Sequence, residues 1–260
     1  MTSTPSLRVA ITGASGLIGS MLVPALSASG HHVVPIVRRS PAPGEIRWDP
    51  AGAGLEPAAL SGVDAVIHLA GENIGARWTE ARKRAVLDSR SRGTRLLAEA
   101  IARASQGPKT LVSASAIGYY GDRGDEPLTE SSGPGTGFLP EVTVAWEAAT
   151  EPAASAGVRV VKLRTGLLLA REGGLLQRML LPFRLGIGGR LGDGGQWMSW
   201  ISSADLIGVY RLALFGTLSG AVNAVAPGAV RNHEFTSELA RVLHRPALLP
   251  VPKTAIRLLF

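Results

Sequence analysis

The sequence predicts an α/β protein in which a doubly wound parallel sheet is joined to a smaller C-terminal lobe. Over residues 7–169, apolar stretches of strand length alternate with longer helical patterns, which is typical of stacked βαβ units. A glycine-punctuated turn joins the first strand to the first helix, and the alternation weakens after Leu169. Because crossovers between parallel strands are right-handed, a doubly wound sheet is the simplest topology.

Hydrophobic periodicity defines the individual elements. The predicted strands cover residues 7–13, 32–39, 63–71, 109–116 and 158–169. The predicted helices cover residues 17–29, 79–104 and 142–156.

The first elements have clear boundaries. The first strand is almost continuously apolar and ends at Gly13, as a buried parallel strand does. The first helix stops before Gly30, a typical C-terminal signal. Pro35 lies inside the second strand, where a central position would lose a ladder hydrogen bond. Residues 40–62 carry proline and glycine every few positions and indicate loops and short elements.

The later elements follow the same logic. The third strand is apolar up to Gly71, and the fourth and fifth are runs rich in valine, leucine and small residues. The long helix places one set of residues on a single face: Val86, Gly93, Leu97, Ala100, Ile101 and Ala104. Residues 186–196 hold six glycines and are expected to form a mobile loop.

Composition excludes several classes of site. The chain has 260 residues, a net charge of +7 and no cysteine, which excludes disulfides, thiolate metal sites and a cysteine nucleophile. The N-terminus lacks a secretory pattern, and no apolar run approaches the ~20 residues that span a membrane. We therefore expect a cytoplasmic protein without a membrane segment.

The glycine turn is the first candidate site. Gly13, Gly16 and Gly19 lie between a predicted strand and a predicted helix, the context in which such a pattern binds a dinucleotide. Gly13 permits the tight turn, Gly16 lets the backbone approach a phosphate, and Gly19 lets the helix pack closely on the sheet. The free N–H groups of the helix N-terminus then bind the pyrophosphate. The alternative is an ordinary strand-to-helix turn.

The end of the second strand indicates which dinucleotide. NAD-selective sites place an acidic residue there to accept from the ribose 2′-hydroxyl, whereas this chain places Arg38 and Arg39 there. Guanidinium groups suit a 2′-phosphate by charge and by bidentate geometry. The sequence therefore favours NADP(H), the alternative being two solvent-facing arginines.

Four stretches together carry a family resemblance. TGASGLIG at residues 12–19 resembles the extended short-chain dehydrogenase/reductase superfamily. HLAGENI (68–74), LPFRLGIGGRLGDGGQWMSWI (181–201) with Asp205, and NAVAPGAVRNHEFTSELARVLHRP (223–246) narrow it to an atypical group of NAD(P)-dependent epimerases/dehydratases, described as nucleoside-diphosphate-sugar epimerase-like or cell-division-inhibitor-like. The resemblance covers nearly the whole chain and implies that members continue past the equivalent of Phe260.

The resemblance implies a division of the chain and a set of cofactor contacts. A Rossmann core would cover residues 1–169, with 200–226 returning to it, and a substrate-binding lobe would comprise 170–199 and 227–260. It also implies a homodimer formed through the two long helices. The implied cofactor contacts are Gly13, Ser15, Gly16, Leu17 and Ile18 at the pyrophosphate, Val37 and Arg38 at the 2′-phosphate, Leu69, Ala70 and Gly71 along the ribose, and Leu168 near the nicotinamide. Gly19 and Arg39 join the predicted cofactor residues through the arguments on the glycine turn and the end of the second strand.

The catalytic set of this superfamily is only partly matched. Its redox members use Asn, Ser, Tyr and Lys, with the tyrosine as the acid/base. Ser115 is the best candidate for the serine and Ser113 the second. If the superfamily's helical glutamate corresponds to Glu147, Leu139 and Thr143 occupy the Tyr and Lys positions, and neither can transfer a proton. Arg90 occupies the Asn position, and no tyrosine in the chain is followed by lysine four residues later.

Replacement groups must therefore be sought nearby. Tyr119 is the candidate acid/base, and Tyr120 is its neighbour; the alternative is one buried tyrosine and one packed on the loop. Glu72 is a candidate base or ligand of a cofactor hydroxyl, or a loop cap. Arg90 is a candidate ligand of a cofactor phosphate or substrate anion, or one more exposed arginine.

The remaining charged residues and the histidines give weaker indications of function. Lys162 and Asp205 are interpreted as structural, the latter as a helix cap. The histidines lack metal-ligand spacing, so no metal site is predicted, and no Gly-x-Ser-x-Gly elbow indicates a hydrolase. The basic run from Arg77 to Arg95 has no aromatic series beside it, so we predict a solvated helix face and no nucleic-acid partner.

The glycine-rich loop is the candidate substrate region. Phe183, Trp197 and Trp200 flank it and could stack on a ring-shaped substrate, with Arg184 and Arg190 available to an anionic one. The alternative is that two of the three aromatic residues belong to the core.

Two function hypotheses from different classes remain. The first is an NADP(H)-dependent oxidoreductase or epimerase that acts on a small anionic or nucleotide-linked substrate with an atypical catalytic set. The second is an NADPH-binding sensor or regulatory protein without turnover, suggested by the missing Tyr and Lys. A nucleic-acid-binding protein is a weaker third.

Overall fold

A central parallel sheet organises the computed structural model, which describes residues 6–247 and 250–251. Its strands are β1 (Arg8–Thr12), β2 (His32–Val37), β3 (Ile46–Arg47), β4 (Ala65–His68), β5 (Thr110–Ala116), β6 (Arg159–Thr165) and β10 (Gly220–Ala224). Short strands outside this sheet are β7 (Leu167–Leu169), β8 (Trp197–Met198), β9 (Trp200–Ser202) and β11 (Val230–Arg231).

Seven helices of the described part of the chain accompany the strands. They are α1 (Leu17–Ala28), α2 (Glu80–Arg103), α3 (Phe138–Ala148), α4 (Glu151–Ser155), α5 (Gly174–Arg184), α6 (Ser203–Phe215) and α7 (Asn232–Leu243). Two single 3₁₀ turns lie at Pro57–Leu60 and Ile117–Tyr120.

The strand order is β3-β2-β1-β4-β5-β6-β10, and every pairing in it is parallel. The order reverses between β1 and β4, which is the switch point at which doubly wound sheets bind ligands. The predicted fold class is confirmed, and each predicted strand is present.

Alternate strand residues fill cores on opposite faces of the sheet. On one face Ala10, Val66 and Leu111 pack with α2 and α4 side chains such as Leu97 and Ala153. On the other, the next residue of each strand packs against α1 and α6. Both faces are covered, which explains why the strands read as continuous apolar runs.

The predicted helix 142–156 is wrong in its extent. The structure has α3, which begins at Phe138, and a separate α4. Pro152 lies in the first turn of α4, where its missing N–H costs nothing, whereas it would break the interior of a longer helix.

The predicted strand 158–169 divides at Gly166. Beyond this residue β7 leaves the main sheet and pairs with β9, with Leu167 N donating to Ser199 O at 2.8 Å. A Cβ on Gly166 would lie 2.5 Å from Ser199 O and 2.9 Å from Val225 Cγ1. The absence of a side chain therefore lets the chain branch from the sheet.

The later segments form a smaller lobe around the antiparallel pair β8 and β11. The glycine-rich loop, expected to be mobile, is attached to the start of α7. Leu191 N donates to Asn232 Oδ1 at 2.8 Å, and His233 N donates to Gly194 O at 3.0 Å. Residues 248–249 and 252–260 of the predicted lobe lie outside the described residues.

No helix of the described chain is long and apolar enough to cross a membrane.

Candidate functional site

The glycine turn forms an open cradle at the N-terminus of α1. Gly13 has φ +67°, the left-handed conformation that glycine tolerates, and Gly16 N donates to Gly13 O at 2.9 Å to close the turn. Helix α1 has no side-chain cap hydrogen bond and no acidic residue in its first turn. Its leading N–H groups are therefore left for an anion.

Gly19 is required by the turn itself. A Cβ there would lie 2.6 Å from Ala14 O and closer still to Gly13 O. The close approach is thus between the first turn of α1 and the glycine turn, rather than between helix and sheet as expected.

A cleft of about 1160 Å³ opens beside this turn at the carboxyl ends of β1, β2 and β4; we call it the turn cleft. Ten of the fifteen predicted cofactor residues line it: Gly13, Ser15, Gly16, Val37, Arg38, Arg39, Leu69, Ala70, Gly71 and Glu72. The structure therefore brings together, in one cleft, stretches that are far apart in the sequence.

The other five predicted cofactor residues lie close by without lining the turn cleft. Leu17 and Ile18 begin α1 with Gly19, and Leu17 lies against Gly173. Leu168 is on β7 and packs against the core that α1 and α6 share. Arg90 lies beneath Gly71, where a Cβ would be 3.2 Å from its Cζ.

The two arginines after β2 differ in their partners. Arg39 makes a bidentate ion pair with Glu45, with distances of 2.6 and 2.7 Å, which raises the pKa of Arg39 and lowers the pKa of Glu45. Arg38 is exposed and makes no hydrogen bond or ion pair with the described residues. Arg38 is therefore the cation available to a ligand at this end of the turn cleft.

Beneath the cleft, a buried histidine holds the end of β4 in place. Thr12 Oγ1 accepts from Leu69 N and Ala70 N, both at 3.1 Å, so its own proton goes to His68 Nδ1 at 2.7 Å. The histidine is then neutral, and its Nε2 donates to Thr94 Oγ1 at 2.9 Å. Burial, with a smaller effect of the nearby Arg90 charge, lowers the pKa of His68 to about 3.

Glu72 and Arg90 are held by internal contacts. Glu72 pairs with Arg82 at 2.8 Å, and its backbone N donates to Ser89 Oγ at 3.0 Å. Arg90 donates to Glu72 O at 3.0 Å and stacks over the Trp146 ring, while burial lowers the pKa of Arg90. Arg90 is therefore not an exposed arginine; it shapes the floor under Gly71.

A second cavity, of about 1440 Å³, lies between the 117–140 region and the lobe; we call it the lobe cavity. Its wall includes the aromatic side chains of Trp78, Tyr120, Phe138 and Trp197. Of the three aromatic residues expected near the glycine loop, only Phe183 is buried, whereas Trp197 is 46% exposed. Trp200 is half-buried, so the alternative that two of the three belong to the core is wrong.

A clasp of three side chains spans the lobe cavity. Asp125 accepts from Trp197 Nε1 at 3.0 Å and from Arg231, and the Arg231 guanidinium stacks 3.9 Å from the centre of the Trp197 ring. These hydrogen bonds, that of Trp197 first, lower the pKa of Asp125. The clasp joins the loop before α3 to both strands of the lobe.

A buried polar network lies behind the cavity wall. Ser115 Oγ donates to Glu147 Oε1 at 2.6 Å, and Glu147 makes a bidentate pair with Arg164 at 2.8 and 2.9 Å. Arg164 Nη1 donates to Tyr120 Oη at 2.9 Å, and that hydroxyl donates to Asn223 Oδ1 at 2.7 Å. Burial opposes the charge of Arg164, but the bonds to Glu147 and Tyr120 outweigh it and raise the pKa of Arg164.

The two predicted catalytic residues stand differently around this network. Ser115 is 4% exposed and commits its hydroxyl to Glu147. Tyr119 lies with its ring 3.5 Å below the Arg164 guanidinium. Neither lines the turn cleft or the lobe cavity. They stay predictions, but Tyr120, not Tyr119, reaches the cavity wall.

Comparison with known proteins identifies the family. A family model described as the NAD dependent epimerase/dehydratase family matches residues 9–223. The chain belongs to this family. An epimerase family protein of Mycobacterium bovis is 47% identical over 255 residues, which are 97% of this chain and 84% of that protein.

Solved structures confirm the Rossmann-like fold of this epimerase/dehydratase family member. The human epimerase family protein SDR39U1 (isoform 2), crystallised with NADPH, has a TM-score of 0.89 at 38% identity and covers 98% of this chain and 86% of its own. A nucleoside-diphosphate sugar epimerase from Corynebacterium glutamicum has a TM-score of 0.81 at 41% identity. That match covers 98% of this chain but 55% of the Corynebacterium chain.

Leu139 and Thr143, the residues predicted to occupy the superfamily's Tyr and Lys positions, lie in α3. Leu139 lines the lobe cavity, and Thr143 is buried with its hydroxyl donating to Leu139 O at 2.7 Å. Asp205, expected to cap α6, lies in its first turn instead; Ser202 is the cap and bonds to the Asp205 carboxylate. Lys162 lies within β6.

Several lining residues were not anticipated. Trp48, Glu45 and Arg92 line the turn cleft. Trp48 lies in a proline- and glycine-rich segment without periodicity, so nothing in the sequence marked it. Arg92 belongs to the basic run, and its position on α2 relative to Gly71 could have suggested it. Groups of three or more possible metal ligands are absent from the described residues.

Proposed function

We propose that this protein is an NADP(H)-dependent oxidoreductase or epimerase that acts on a small anionic or nucleotide-linked substrate. The family is named for its dependence on a nicotinamide dinucleotide. The observation that carries the preference for NADP(H) is the free guanidinium of Arg38 at the end of β2, beside an Arg39 that is neutralised by Glu45. The NADPH named with human SDR39U1 supports the same choice.

The turn cleft fits such a cofactor. The uncapped N-terminus of α1 would hold the pyrophosphate with its free N–H groups. The glycines of the turn keep the backbone tightly folded there, because an added Cβ would lie against backbone atoms of the turn or of residues 69–70. Arg38 would hold the 2′-phosphate, and Leu69, Ala70 and Gly71 would lie along the ribose. A bound nicotinamide dinucleotide supplies or accepts a hydride.

The substrate would occupy the lobe cavity. Trp78, Phe138 and Trp197 offer ring surfaces, and Arg231 offers a cation to an anionic group once it leaves Asp125. The name of the Corynebacterium relative, a nucleoside-diphosphate sugar epimerase, supports a nucleotide-linked substrate. We assign substrate binding to the lobe of residues 170–199 and 227–260, and we further propose a cytoplasmic homodimer.

Calorimetric titration of the wild type and Arg38→Ala with NADPH and NADH tests the cofactor assignment. Losing a hydrogen-bonded charge pair costs about 1.5–3 kcal/mol, so NADPH binding should weaken about tenfold to a hundredfold while NADH binding changes little. Arg84→Ala is the matched control, because Arg84 is exposed on α2 and lies outside the cleft. Equal losses for both dinucleotides would contradict a role at the 2′-phosphate.

A sensor without turnover is the second candidate function. It is favoured by Leu139 and Thr143, which occupy the positions of the superfamily's acid/base pair and cannot transfer a proton. Its distinguishing property is a partner protein that binds differently in NADPH and in NADP⁺. If a broad panel of carbonyl compounds, sugar nucleotides and quinones gives no turnover, neither NADPH oxidation nor an epimerised product, while NADPH remains bound, this candidate replaces the first.

A further inference from the structure

The side chain of Tyr120 lies at the wall of the lobe cavity, and its phenol oxygen is hydrogen-bonded to the Arg164 guanidinium. It follows β5 in the 3₁₀ turn Ile117–Tyr120 and is 4% exposed. Its hydroxyl accepts from Arg164 Nη1 at 2.9 Å and donates to Asn223 Oδ1 at 2.7 Å. Asn223 also lines the cavity, so the donor and the acceptor of this hydrogen bond both belong to residues of its wall.

Arg164 is held so that one nitrogen remains for Tyr120. Its Nε and Nη2 are taken by the two carboxylate oxygens of Glu147, whose Oε1 also accepts from Ser115. The ring of Tyr119 covers the guanidinium plane at 3.5 Å. A guanidinium fixed on three sides cannot turn away, and its Nη1 would stabilise a negative oxygen on Tyr120.

The turn that carries Tyr120 packs directly on the place where the superfamily's pair is missing. A Cβ on Gly118 would lie 3.6 Å from Leu139 Cβ and 3.8 Å from Thr143 Oγ1. Tyr120 follows two residues later in the same turn and lines the lobe cavity together with Leu139.

We propose that Tyr120 is the proton donor and acceptor of this site and that Arg164 is its positioning residue. The assignment rests on the proposed redox function. In reduction, a bound nicotinamide dinucleotide would supply the hydride that the carbonyl carbon gains. Tyr120 Oη would transfer its proton to the carbonyl oxygen, which would leave an alcohol and a tyrosinate. The tyrosinate, held by Arg164 Nη1, regains its proton from water. Ser115 acts through Glu147 to hold Arg164 rather than on the substrate.

Chemical labelling tests the reactivity of Tyr120 without a substrate or cofactor. An aryl sulfonyl fluoride sulfonylates a phenol as the O–S bond forms, fluoride leaves and the phenolic proton passes to solvent. The chain has three tyrosines, so peptide mass spectrometry assigns the site. We expect label on Tyr120 in preference to Tyr119 and Tyr210. Label on Tyr119 instead, or no label on Tyr120, would overturn the proposal, since a phenol that small molecules do not reach cannot serve a substrate.

The role of Arg164 is tested by rescue. In Arg164→Gln the labelling of Tyr120 should fall by about tenfold or more, whereas Arg164→Lys, which keeps the charge, should retain a larger share. If Arg164→Gln does not fold, Glu147→Gln serves instead, because it releases the guanidinium while keeping the shape of its partner. Equal labelling in the wild type and in a folded variant would contradict the positioning role.

Turnover and binding separate this proposal from the proposed function. In Tyr120→Phe, kcat for NADPH oxidation with any active carbonyl of the panel should fall by about a hundredfold or more, with the NADPH Kd unchanged. Tyr119→Phe should lose far less. Turnover that survives in Tyr120→Phe overturns the proposal, whereas failure of the wild type to bind NADPH overturns the proposed function and leaves the labelling result to be judged by itself.

Discussion

At the scale of single residues, adjacent side chains differ because their partners differ. Arg38 and Arg39 are consecutive, yet Glu45 neutralises only Arg39. Tyr119 and Tyr120 are also consecutive, yet one covers a guanidinium with its ring face and the other binds it with its oxygen. The role of each residue therefore depends on which other side chain it contacts, and sequence spacing alone does not reveal that contact.

His68 gives a residue-scale prediction for the effect of pH on stability. Its pKa is lowered to about 3 in the folded protein from an unfolded value of 6.5. The unfolded chain therefore takes up a proton first as the pH falls. The contribution of this histidine to stability is complete above pH 6.5 and is lost on acidification toward pH 3, at about 1.4 kcal/mol per pH unit at most.

Urea unfolding at about pH 7 and about pH 5 measures this loss. In His68→Gln the free energy of unfolding should be lower at neutral pH. It should also fall less steeply on acidification, because unfolding then takes up as much as one proton fewer. His32→Gln is the control, because His32 is exposed on β2, which β1 separates from the strand of His68. An unchanged slope in His68→Gln would show that other groups control the acid response.

At the scale of elements, α1 illustrates how one contact sets the placement of a helix. Its first turn lies so close to the glycine turn that Gly19 has no space for a methyl group. Its N-terminus consequently faces the turn cleft with its N–H groups free. The close contact at Gly19 and the free N–H groups of α1 therefore both result from the same placement of the helix.

Gly19→Ala should accordingly destabilise the protein and weaken dinucleotide binding together. Overpacking typically costs about 1–3 kcal/mol, and here the clash is with rigid backbone oxygens. Gly208→Ala in α6 is the matched control: no atom lies within 4 Å of its Cβ, so it should stabilise by about 0.5–1 kcal/mol. Thermal unfolding and NADPH titration measure both effects, and a neutral Gly19→Ala would refute the packing account.

The elements themselves were largely predictable from the sequence, because each depends on local periodicity. Strands β1, β4 and β5 are buried runs, and α2 buries the expected stripe apart from its last member, Ala104, which is half-buried. The single helix predicted over 142–156 misses the break between α3 and α4, because helical periodicity does not mark Pro152 as a first-turn residue.

The candidate site was predictable only in part. The turn cleft is built from backbone and short motifs, and these carry sequence signals. The pairing of Glu147 with Arg164 joins a helix to a strand, and Asn223 reaches Tyr120 from a strand 103 residues away. Such contacts are decided by how β6 and β10 pair, which the residues themselves do not encode locally.

At the scale of the whole molecule, the sheet and the lobe meet across the lobe cavity. The Asp125 clasp bridges them from the solvent side, and the paired strands β7 and β9 lead into and out of the lobe segment 170–199. The clasp is exposed and so contributes little to global stability, but it links segments that are 72 and 106 residues apart. Its effect should therefore be on the mobility of the lobe.

Asp125→Ala should speed amide hydrogen exchange in residues 190–198 while lowering the free energy of unfolding by less than about 1 kcal/mol. Glu238→Ala is the control, since it removes an exposed pair with Arg241 that lies within α7 alone. Exchange that rises equally in both variants would mean that the clasp does not restrain the lobe.

Gly166 constrains how this molecule can change over generations. The branch from β6 into β7 leaves no space for a methyl group beside Ser199 O and Val225. A mutation that adds a side chain there can persist only if the segment around Ser199 has already moved away. Lineages can vary the lobe on one side and the sheet on the other, but at this junction the two must be altered together.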